Sequence, residues 1–186
     1  HASFADEEAL DLLEANKDKH FIAPGLAWLI NTSYHASEWG LTPEVTKKMG
    51  YHRELEIAVE TLKKMIKRGI HVLPGGDYGF AWTPHGTNAK DLEYFMKYLG
   101  MSSMEALLSA TAWGAAIMKL DGEVGRVKDG ALADLLLVDG DALADMRILQ
   151  DKKRILAVMK DGEFYRAPVP RDARSSAPTR WQAVAA

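Results

Sequence analysis

The alternation of apolar runs and helical patterns over residues 1–118 constrains the fold of this chain more than any other feature. Residues 20–30 are largely apolar and predict a buried strand that ends at Leu26 or shortly after, and residues 70–73 predict a second strand. This order is typical of parallel βα units. Two strands, with the tip of a third at His1, are too few to bury both faces of a parallel sheet. The sequence therefore predicts an α/β fold of which this chain holds one part.

Local capping signals set the expected helix boundaries. Asp6 is a candidate N-cap for the first helix and Asn88 for the third, and Ser102 with Glu105 forms a capping-box pattern that opens the fourth. Residues 31–50 are interpreted as one long connection, which in a compact domain usually serves function or acts as a lid. The helices are expected over residues 6–16, 52–68, 88–99 and 103–118.

The pattern changes after residue 120, where short apolar runs alternate with turn signals. Strands are expected over residues 124–127, 133–139, 147–149 and 155–160. Asp161-Gly162 between apolar residues predicts a β-hairpin. The chain thus ends in a small β element and, from residue 167 on, in an extended tail rich in Pro, Arg, Ser and Ala, which shows no core pattern.

Composition excludes several functional classes. A net charge of −3 gives no reason to expect nucleic acid or an anionic membrane as a partner, and no run approaches the roughly 18 apolar residues of a membrane span. The chain contains no cysteine, so any metal must be held by His, Asp or Glu. It begins at His1 without an initiator Met or signal peptide, which suggests a piece of a longer protein. Its compartment stays open, with the cytoplasm favoured.

Leu73-Pro-Gly-Gly-Asp-Tyr-Gly-Phe80 is the segment that points most directly to chemistry. It follows the predicted strand 70–73, and its glycines allow a sharp turn that clears space around Asp77. A carboxylate placed there can serve as a metal ligand or a general base. The alternative is a strand-to-helix turn in which Asp77 only caps the helix.

Three segments together carry a resemblance to a known family. The run from Met104 to Met118, the run from Gly122 to Asp141 with its Gly-Ala-Leu-Ala-Asp-Leu-Leu-Leu-Val-Asp-Gly core, and the closing hairpin over 155–165 resemble the C-terminal part of metal-dependent amidohydrolases. Ala142 stands where that family commonly has Pro. The set Gly-Gly-Asp…Pro-His-Gly-x-Asn, with a helix that follows His1-Ala-Ser, is most similar to the prolidase-like and imidazolonepropionase-like branch.

The resemblance implies a fold and a division of the chain. Family members have a (β/α)8 barrel flanked by a small β-sandwich, with the active site at the C-terminal ends of the barrel strands. Residues 1–120 would supply the barrel from the end of strand six to the helices after strand eight. Residues 121–166 would supply the C-terminal strands of the sandwich, and 167–186 the tail.

The resemblance also implies the residues that do the chemistry. His1 matches the strand-six histidine, which binds the second metal in two-metal members and lies beside the substrate in one-metal members. Asp77 matches the strand-eight aspartate, which binds the first metal and moves a proton for the water that this metal activates. The cofactor would be a divalent metal, in the first place zinc, as one ion or two. No other ligand of the family can be placed in this chain.

The remaining candidates follow from their position in the loops after the predicted strands. His85, which follows Asp77 by eight residues, is expected to orient the substrate or a ligand, or to fix the loop backbone. Tyr34 and His35, in the connection 31–50, suit a substrate pocket, or else belong to an aromatic cluster that packs the loop down. Tyr78 would line the pocket or pack beneath it. The other histidines are interpreted as structural or solvent-facing (His20 and His71) or as a surface residue (His52).

The sequence thus predicts a metal-dependent hydrolase that cleaves an amide or related C–N bond of a small molecule: a dipeptide, an N-acyl amino acid or a cyclic amide. The alternatives are a single-metal deaminase of the same superfamily and a non-catalytic barrel relative. The partners expected are a small-molecule amide, the N-terminal half of the same protein and further copies in a homo-oligomer, with no nucleic acid and no membrane. The chain alone is expected to be inactive, because it supplies too few ligands.

Overall fold

A computed structural model describes residues 1–168, which form seven α-helices and a three-stranded antiparallel sheet. The predicted tail lies outside the described residues from 169 onward. The helices are α1 (Glu7–Ala15), α2 (Leu26–Tyr34), α3 (Pro43–Lys48), α4 (Tyr51–Lys67), α5 (Lys90–Tyr94), α6 (Ser103–Ala110) and α7 (Ala112–Ile117), and the strands are β1 (Leu135–Val138), β2 (Ile155–Lys160) and β3 (Glu163–Arg166). No helix in this part of the chain has the length and apolar character needed to cross a membrane.

Helix starts that depend on local side-chain chemistry follow the sequence closely. The Asp6 carboxylate accepts a hydrogen bond of 2.9 Å from the Ala9 backbone N–H and caps α1 as predicted. Ser102 and Glu105 form the predicted capping box at the start of α6. The helix expected over 103–118 is interrupted at Thr111, whose backbone (φ −117°, ψ −86°) is not helical, so it forms α6 and α7 instead.

The third helix departs from expectation at its start. Ala89, not Asn88, occupies the N-cap of α5, and no side chain caps the helix there. The Asn88 side chain instead accepts a hydrogen bond of 3.2 Å from the backbone N–H of Gly86, so it stabilises the preceding turn. Beyond Tyr94 the helix continues as a π-helical turn, Phe95–Leu99.

The buried strand predicted from residue 20 to Leu26 or shortly after is wrong for most of its length. Only Ile22 is paired there, in a single parallel bridge with Val72. From Leu26 the chain forms helix α2, in which seven of nine residues are buried. A helix that is covered on nearly all sides shows the same continuous apolar run as a buried strand, and Pro24-Gly25 ends the extended segment before it.

The long connection predicted over 31–50 is also wrong. Its first residues complete α2, a 3-10 turn follows at Ser37–Trp39, and α3 begins after Thr42. The Thr42 hydroxyl accepts a hydrogen bond of 3.4 Å from the Val45 backbone N–H, and Pro43 stands at the first helical position. Thr followed by Pro is a common helix start, so the beginning of α3 could have been predicted from the sequence.

The C-terminal sheet has the strand order β1-β2-β3, and both pairs are antiparallel. Asp161 (φ 50°) and Gly162 (φ 82°) join β2 to β3, which confirms the predicted hairpin and gives it the two positive φ angles of a type I′ turn. The strands expected over 124–127 and 147–149 are wrong. Val124 makes only an isolated bridge, and the second segment lies in a 3-10 turn, Met146–Gln150.

The parallel bridge between Ile22 and Val72 packs against the helices in the hydrophobic core. Leu26 and Ile30 of α2, Leu62 and Met65 of α4, and Phe95 are fully buried within one apolar cluster, which also contains Ile22 and Val72. Such burial contributes roughly 1.5–3 kcal/mol per large side chain. The described residues therefore form an α/β fold with a small antiparallel sheet, and the end of the bridge at Leu73 leads directly into the glycine turn.

Candidate functional site

A cavity of about 470 Å³ lies beside the glycine turn. Its walls come from the N-terminal segment, from α2 and the residue before it, from the first turn of α4, and from the turn itself. Both residues predicted as metal ligands, His1 and Asp77, line this cavity. The lining consists of His1, Ala2, Ser3, Phe4, Ala5, Gly25, Trp28, Leu29, Glu54 and Asp77.

Asp77 is held in a conformation that few residues adopt. Its φ of +54° is left-handed, which costs an L-residue roughly 1–2 kcal/mol, although Asp tolerates it better than most. Thr83, which is fully buried, donates its hydroxyl to the Asp77 carbonyl at 3.2 Å, and its own carbonyl accepts the Gly79 N–H at 2.9 Å. These bonds close the loop after the turn and hold the backbone of Asp77 in place.

Close packing explains the glycines before Asp77. A Cβ on Gly76 would lie 2.6 Å from the ring of Tyr78, and a Cβ on Gly75 would lie 2.9 Å from the Cβ of Ala23. Both distances are shorter than normal contacts between carbon atoms. Gly76 is therefore needed because the Tyr78 ring folds back over the turn, in addition to any need for a sharp bend.

Gly25 brings the two predicted ligands together. A Cβ at this residue would lie 3.1 Å from His1 Cε1 and 3.9 Å from Asp77 Cβ, so a side chain here would crowd the His1 ring and touch Asp77. The Gly25 backbone N–H donates to His1 Nδ1 at 3.2 Å. In a neutral imidazole this places the ring hydrogen on Nε2.

The donor types at this site suit a divalent metal, but their number is small. No group of three His, Asp or Glu side chains that could hold a metal ion occurs among residues 1–168. A catalytic zinc normally has three protein ligands. Asp77 fits as a carboxylate ligand. His1 fits only if Nδ1 binds in place of the Gly25 N–H, or if the ring hydrogen moves to Nδ1, and either change breaks the present hydrogen bond.

Tyr78 lies beneath the turn rather than on the cavity wall. Its hydroxyl donates to the Asn88 carbonyl at 3.3 Å. Burial, followed by the nearby Asp91 carboxylate, holds the pKa of Tyr78 well above its usual value. A substrate contact for Tyr78 stays a prediction, and the observed contacts support the glycine turn from below.

Asp91 is a buried carboxyl group that sequence reasoning missed. It is 0% exposed, and neither of its oxygens has a hydrogen bond of normal geometry. Burial raises the pKa of Asp91 to about 6, while the Tyr78 hydroxyl and the backbone N–H groups of Gly76 and Gly75 oppose the rise. Asp91 precedes the buried Phe95 by four residues, so both lie on the inner face of the helix. This spacing could have predicted the burial of Asp91 from the sequence.

The other predicted substrate contacts lie outside this cavity. Tyr34 and His35 are exposed at the end of α2, and the Tyr34 ring packs 4.9 Å from the ring of His52. Partial burial, followed by the charges of Lys90 and Lys97, lowers the pKa of His35. His85 is exposed in the loop after the turn. The structure therefore brings His1 and Asp77 together but leaves His85, Tyr34, His35 and Tyr78 apart from them.

Two of the remaining histidines have well-defined packing. His71 lies between the rings of Phe21 and Trp113, at centroid distances of 5.9 and 4.6 Å, in agreement with a structural role. His52 is not a surface residue as expected, because its Nε2 lies 3.2 Å from both the Thr46 hydroxyl and the Ser33 carbonyl. It thereby ties the start of α4 to α2 and α3.

A buried polar network anchors the loop that follows Asp77. The Tyr94 hydroxyl donates to the Asn31 side-chain oxygen at 2.7 Å, and the Asn31 amide donates to the Trp82 carbonyl at 2.9 Å. The Trp82 indole donates in turn to the Thr32 hydroxyl at 2.9 Å. Helix α2 therefore anchors the loop after the turn through Asn31 and Thr32, which both bind Trp82.

Fold and site together define a class: an α/β protein in which a carboxylate on a glycine turn, at the end of a parallel bridge, faces a cavity, the usual position of an enzyme active site. Comparison with known proteins identifies the members of that class. The chain belongs to the amidohydrolase family, whose model matches residues 3–164. This confirms the resemblance inferred from the sequence.

Individual relatives give the same result. Ochratoxinase of Aspergillus niger is 25% identical over 169 residues, which are 90% of this chain and 33% of the relative. Imidazolonepropionase of Rubrobacter xylanophilus is 41% identical over 64 residues, 34% of this chain and 15% of the relative. A crystal structure of a prolidase complexed with N-methylphosphonate-L-proline matches with a TM-score of 0.74 and 27% identity over 89% of this chain and 39% of that one. The chain thus spans about a third of the length of ochratoxinase and 39% of the prolidase chain.

Proposed function

We propose that this chain forms part of a metal-dependent hydrolase that cleaves the amide C–N bond of a small molecule. The observation that carries the proposal is the shared cavity, in which His1 and Asp77 face each other across Gly25. Hydrolases among the relatives support the reaction class.

Asp77 has the central role in the proposed mechanism. Its carboxylate would bind a divalent metal, in the first place zinc, and a bound metal of this kind polarises the substrate carbonyl and makes a water nucleophile available at neutral pH. Asp77 accepts a proton from the attacking water and returns it to the leaving amine, so one group acts first as base and then as acid. The Thr83 hydroxyl keeps the Asp77 backbone in place while the proton moves.

The proposed substrate is a small amide such as a dipeptide, an N-acyl amino acid or a cyclic amide. One prolidase structure similar to this chain holds N-methylphosphonate-L-proline, and a Xaa-Pro dipeptidase structure holds methionine. A cavity of about 470 Å³ lies within the range of 300–1,000 Å³ that small-molecule sites normally have. These ligands belong to the relatives and support only the size and type of molecule proposed here.

We further propose that the active assembly contains additional βα units, which complete a (β/α)8 barrel and supply the other metal ligands. The small number of metal donors in the described residues and the coverage of 33% and 39% of two relatives support this. The open β1 strand supports completion of the sandwich, because Leu135, Leu136 and Leu137 are 39%, 56% and 50% exposed. Neighbours in a strand point to opposite faces, so both faces of β1 lack cover within the described residues. Completion of a sandwich by further strands would bury these leucines. Self-association stays a prediction.

A single-metal deaminase is the second candidate, and the hydrogen bond at His1 favours it. Since the Gly25 N–H occupies Nδ1, the Nε2–H of a neutral His1 is a donor. A donor at this position suits contact with a substrate better than ligation of a second metal. A count of two metal ions in the active assembly would exclude the deaminase, whereas a count of one is expected for the deaminase and is compatible with the hydrolase.

The test measures metal content and hydrolysis of a dipeptide and N-acyl amino acid panel by the assembled enzyme. Asp77→Asn should lower kcat at least about 100-fold, the usual effect of losing a general base, and should reduce the bound zinc. Asp129→Asn is the matched control, because it removes an exposed carboxylate in a remote turn. An Asp77→Asn enzyme within threefold of the wild type would refute the proposed role. The 186-residue chain alone should be inactive on the same panel.

A further inference from the structure

Asp91 of helix α5 is a buried carboxyl group that has no role in the mechanism proposed above. Among residues 1–168 it is the one acidic residue that is fully buried, and neither of its oxygens has a hydrogen bond of normal geometry. Burial of such a group costs free energy that an apolar side chain would not cost. Helix packing alone therefore does not account for an acid at this position.

The Asp91 carboxyl group interacts with the backbone on both sides of Asp77. Burial raises the pKa of Asp91. The Tyr78 hydroxyl, followed by the backbone N–H groups of Gly76 and Gly75, lowers it, because hydrogen-bond donors favour the charged carboxylate. These three residues flank Asp77 in the chain. The carboxyl group of Asp91 therefore lies against the turn that carries the predicted metal ligand.

The same carboxyl group also faces the start of helix α2. The backbone N–H of Ala27, in the first turn of α2, is a further donor that lowers the pKa of Asp91. The N-cap of α2 is Gly25, which has no side chain to accept a hydrogen bond from this turn. Asp91 offers that turn an acceptor from another helix. The Gly25 N–H itself donates to His1 Nδ1 at 3.2 Å, so the start of α2 is the segment that holds His1.

We propose that Asp91 is a positioning residue, whose buried carboxyl group holds the glycine turn against the start of α2 and thereby sets the distance between Asp77 and His1. This inference rests on the proposed function and goes beyond it, because Asp91 acts on the reaction without touching the substrate. Reacting groups depend steeply on their placement, and a displacement of about 1 Å can lower a rate roughly 100-fold.

The first measurement tests the geometry and does not depend on turnover. Two-dimensional ¹H–¹⁵N NMR spectra of the 186-residue chain are compared for the wild type, Asp91→Leu and Asp91→Asn. The backbone N–H signals to follow are those of Gly25, Ala27, Gly75 and Gly76. Asp91→Leu should move the last three upfield, because they lose an acceptor, and should move the Gly25 signal, because the contact with His1 changes. Asp91→Asn, which keeps an acceptor oxygen at the same place, should move all four less.

The matched control is Glu93→Gln, which changes a carboxyl group on the same helix. The Glu93 carboxylate accepts a hydrogen bond of 2.7 Å from the Gln150 side chain, which lies in the 3-10 turn and not in the glycine turn. This variant should leave the four signals in place.

The second measurement is the kinetics of the assembled enzyme, with urea unfolding to establish that each variant is folded under the assay conditions. Asp91→Leu should lower kcat at least about tenfold and leave KM within about threefold, because a displaced Asp77 weakens the transition state more than substrate binding. Asp91→Asn should restore kcat to within about threefold of the wild type, and Glu93→Gln should match the wild type. Asp91→Ala, which adds no bulk, replaces Asp91→Leu if that variant does not fold.

Three results would each overturn the positioning role: a Gly25 signal that stays in place in the folded Leu or Ala variant, a kcat of that variant within threefold of the wild type, or an equal loss in Asp91→Asn. The expected NMR shifts combined with no hydrolysis by the wild-type assembly would refute the hydrolase proposal and leave the geometric role of Asp91 supported.

Discussion

Asp91 makes the stability of this protein depend on pH in an unusual direction. Burial raises its pKa from 3.8 to about 6 in the folded chain, so the folded state holds the proton more tightly than the unfolded state does. Stability from this group is therefore fully present below about pH 4 and declines as the pH rises through 6. A shift of this size corresponds to about 3 kcal/mol of unfolding free energy.

The perturbation is Asp91→Asn, which keeps the shape of the side chain but cannot ionise. We expect the difference in unfolding free energy, wild type minus variant, to fall by about 2 kcal/mol between pH 4 and pH 7, because the group is already more than half ionised in the unfolded chain at pH 4, and to level off above pH 7. Other titrating groups affect both proteins alike, so the difference isolates Asp91. At pH 7 the variant should match or exceed the wild type in stability.

The assay is urea unfolding, followed by tryptophan fluorescence, at one-unit steps from pH 4 to pH 8. Asp129→Asn, an exposed carboxylate, is the control and should give a difference that stays within about 0.5 kcal/mol over the range. A wild type that gains stability relative to Asp91→Asn as the pH rises would show that Asp91 is stabilised as an anion. The reasoning from burial would then be refuted.

Three further predictions concern the turn and its neighbours. Gly25→Ala should displace the His1 ring, which lies 3.1 Å from the new Cβ, and lower kcat/KM of the assembled enzyme at least tenfold; unchanged kinetics would contradict the role of Gly25 as a spacer. Gly76→Ala should cost about 1–3 kcal/mol in urea unfolding, because its Cβ meets the Tyr78 ring at 2.6 Å, and the double variant with Tyr78→Ala should recover part of that loss. Thr83→Val should cost about 1–3 kcal/mol in the same assay, whereas Thr83→Ser, which keeps the hydroxyl bond to Asp77, should cost less; equal losses would argue against that bond.

Elements with local chemical signals were predictable from the sequence. The Asp6 cap, the Ser102–Glu105 capping box and the Asp161-Gly162 hairpin depend on residues within three or four positions of one another, and all three occur in the structure. Helix α2 was not predictable by the same means. Its apolar run fits a buried strand and a buried helix equally well, and only the packing of α4 and Phe95 around it decides between them.

The residues of the candidate site also differ in how far they could be predicted from the sequence. The glycine turn and its carboxylate were visible in the sequence because glycine spacing restricts the backbone locally. Asp91 was not singled out, since it belongs to a helix whose pattern accepts an acid at that position, and its full burial exists only in the folded structure. Polar residues that acquire a role only through tertiary packing leave little trace in a single sequence.

The uncovered β1 strand has a consequence for how this protein is made. Leu135, Leu136 and Leu137 lie on the outermost strand of the described sheet, and a leucine-rich strand with a free edge is a template onto which another strand can add. The proposed units that complete the sandwich would compete for this edge with a strand of another nascent copy. The yield of folded protein should therefore depend on how soon those units are available during synthesis. Low protein concentration, or co-production of those units, should favour native assembly over aggregation.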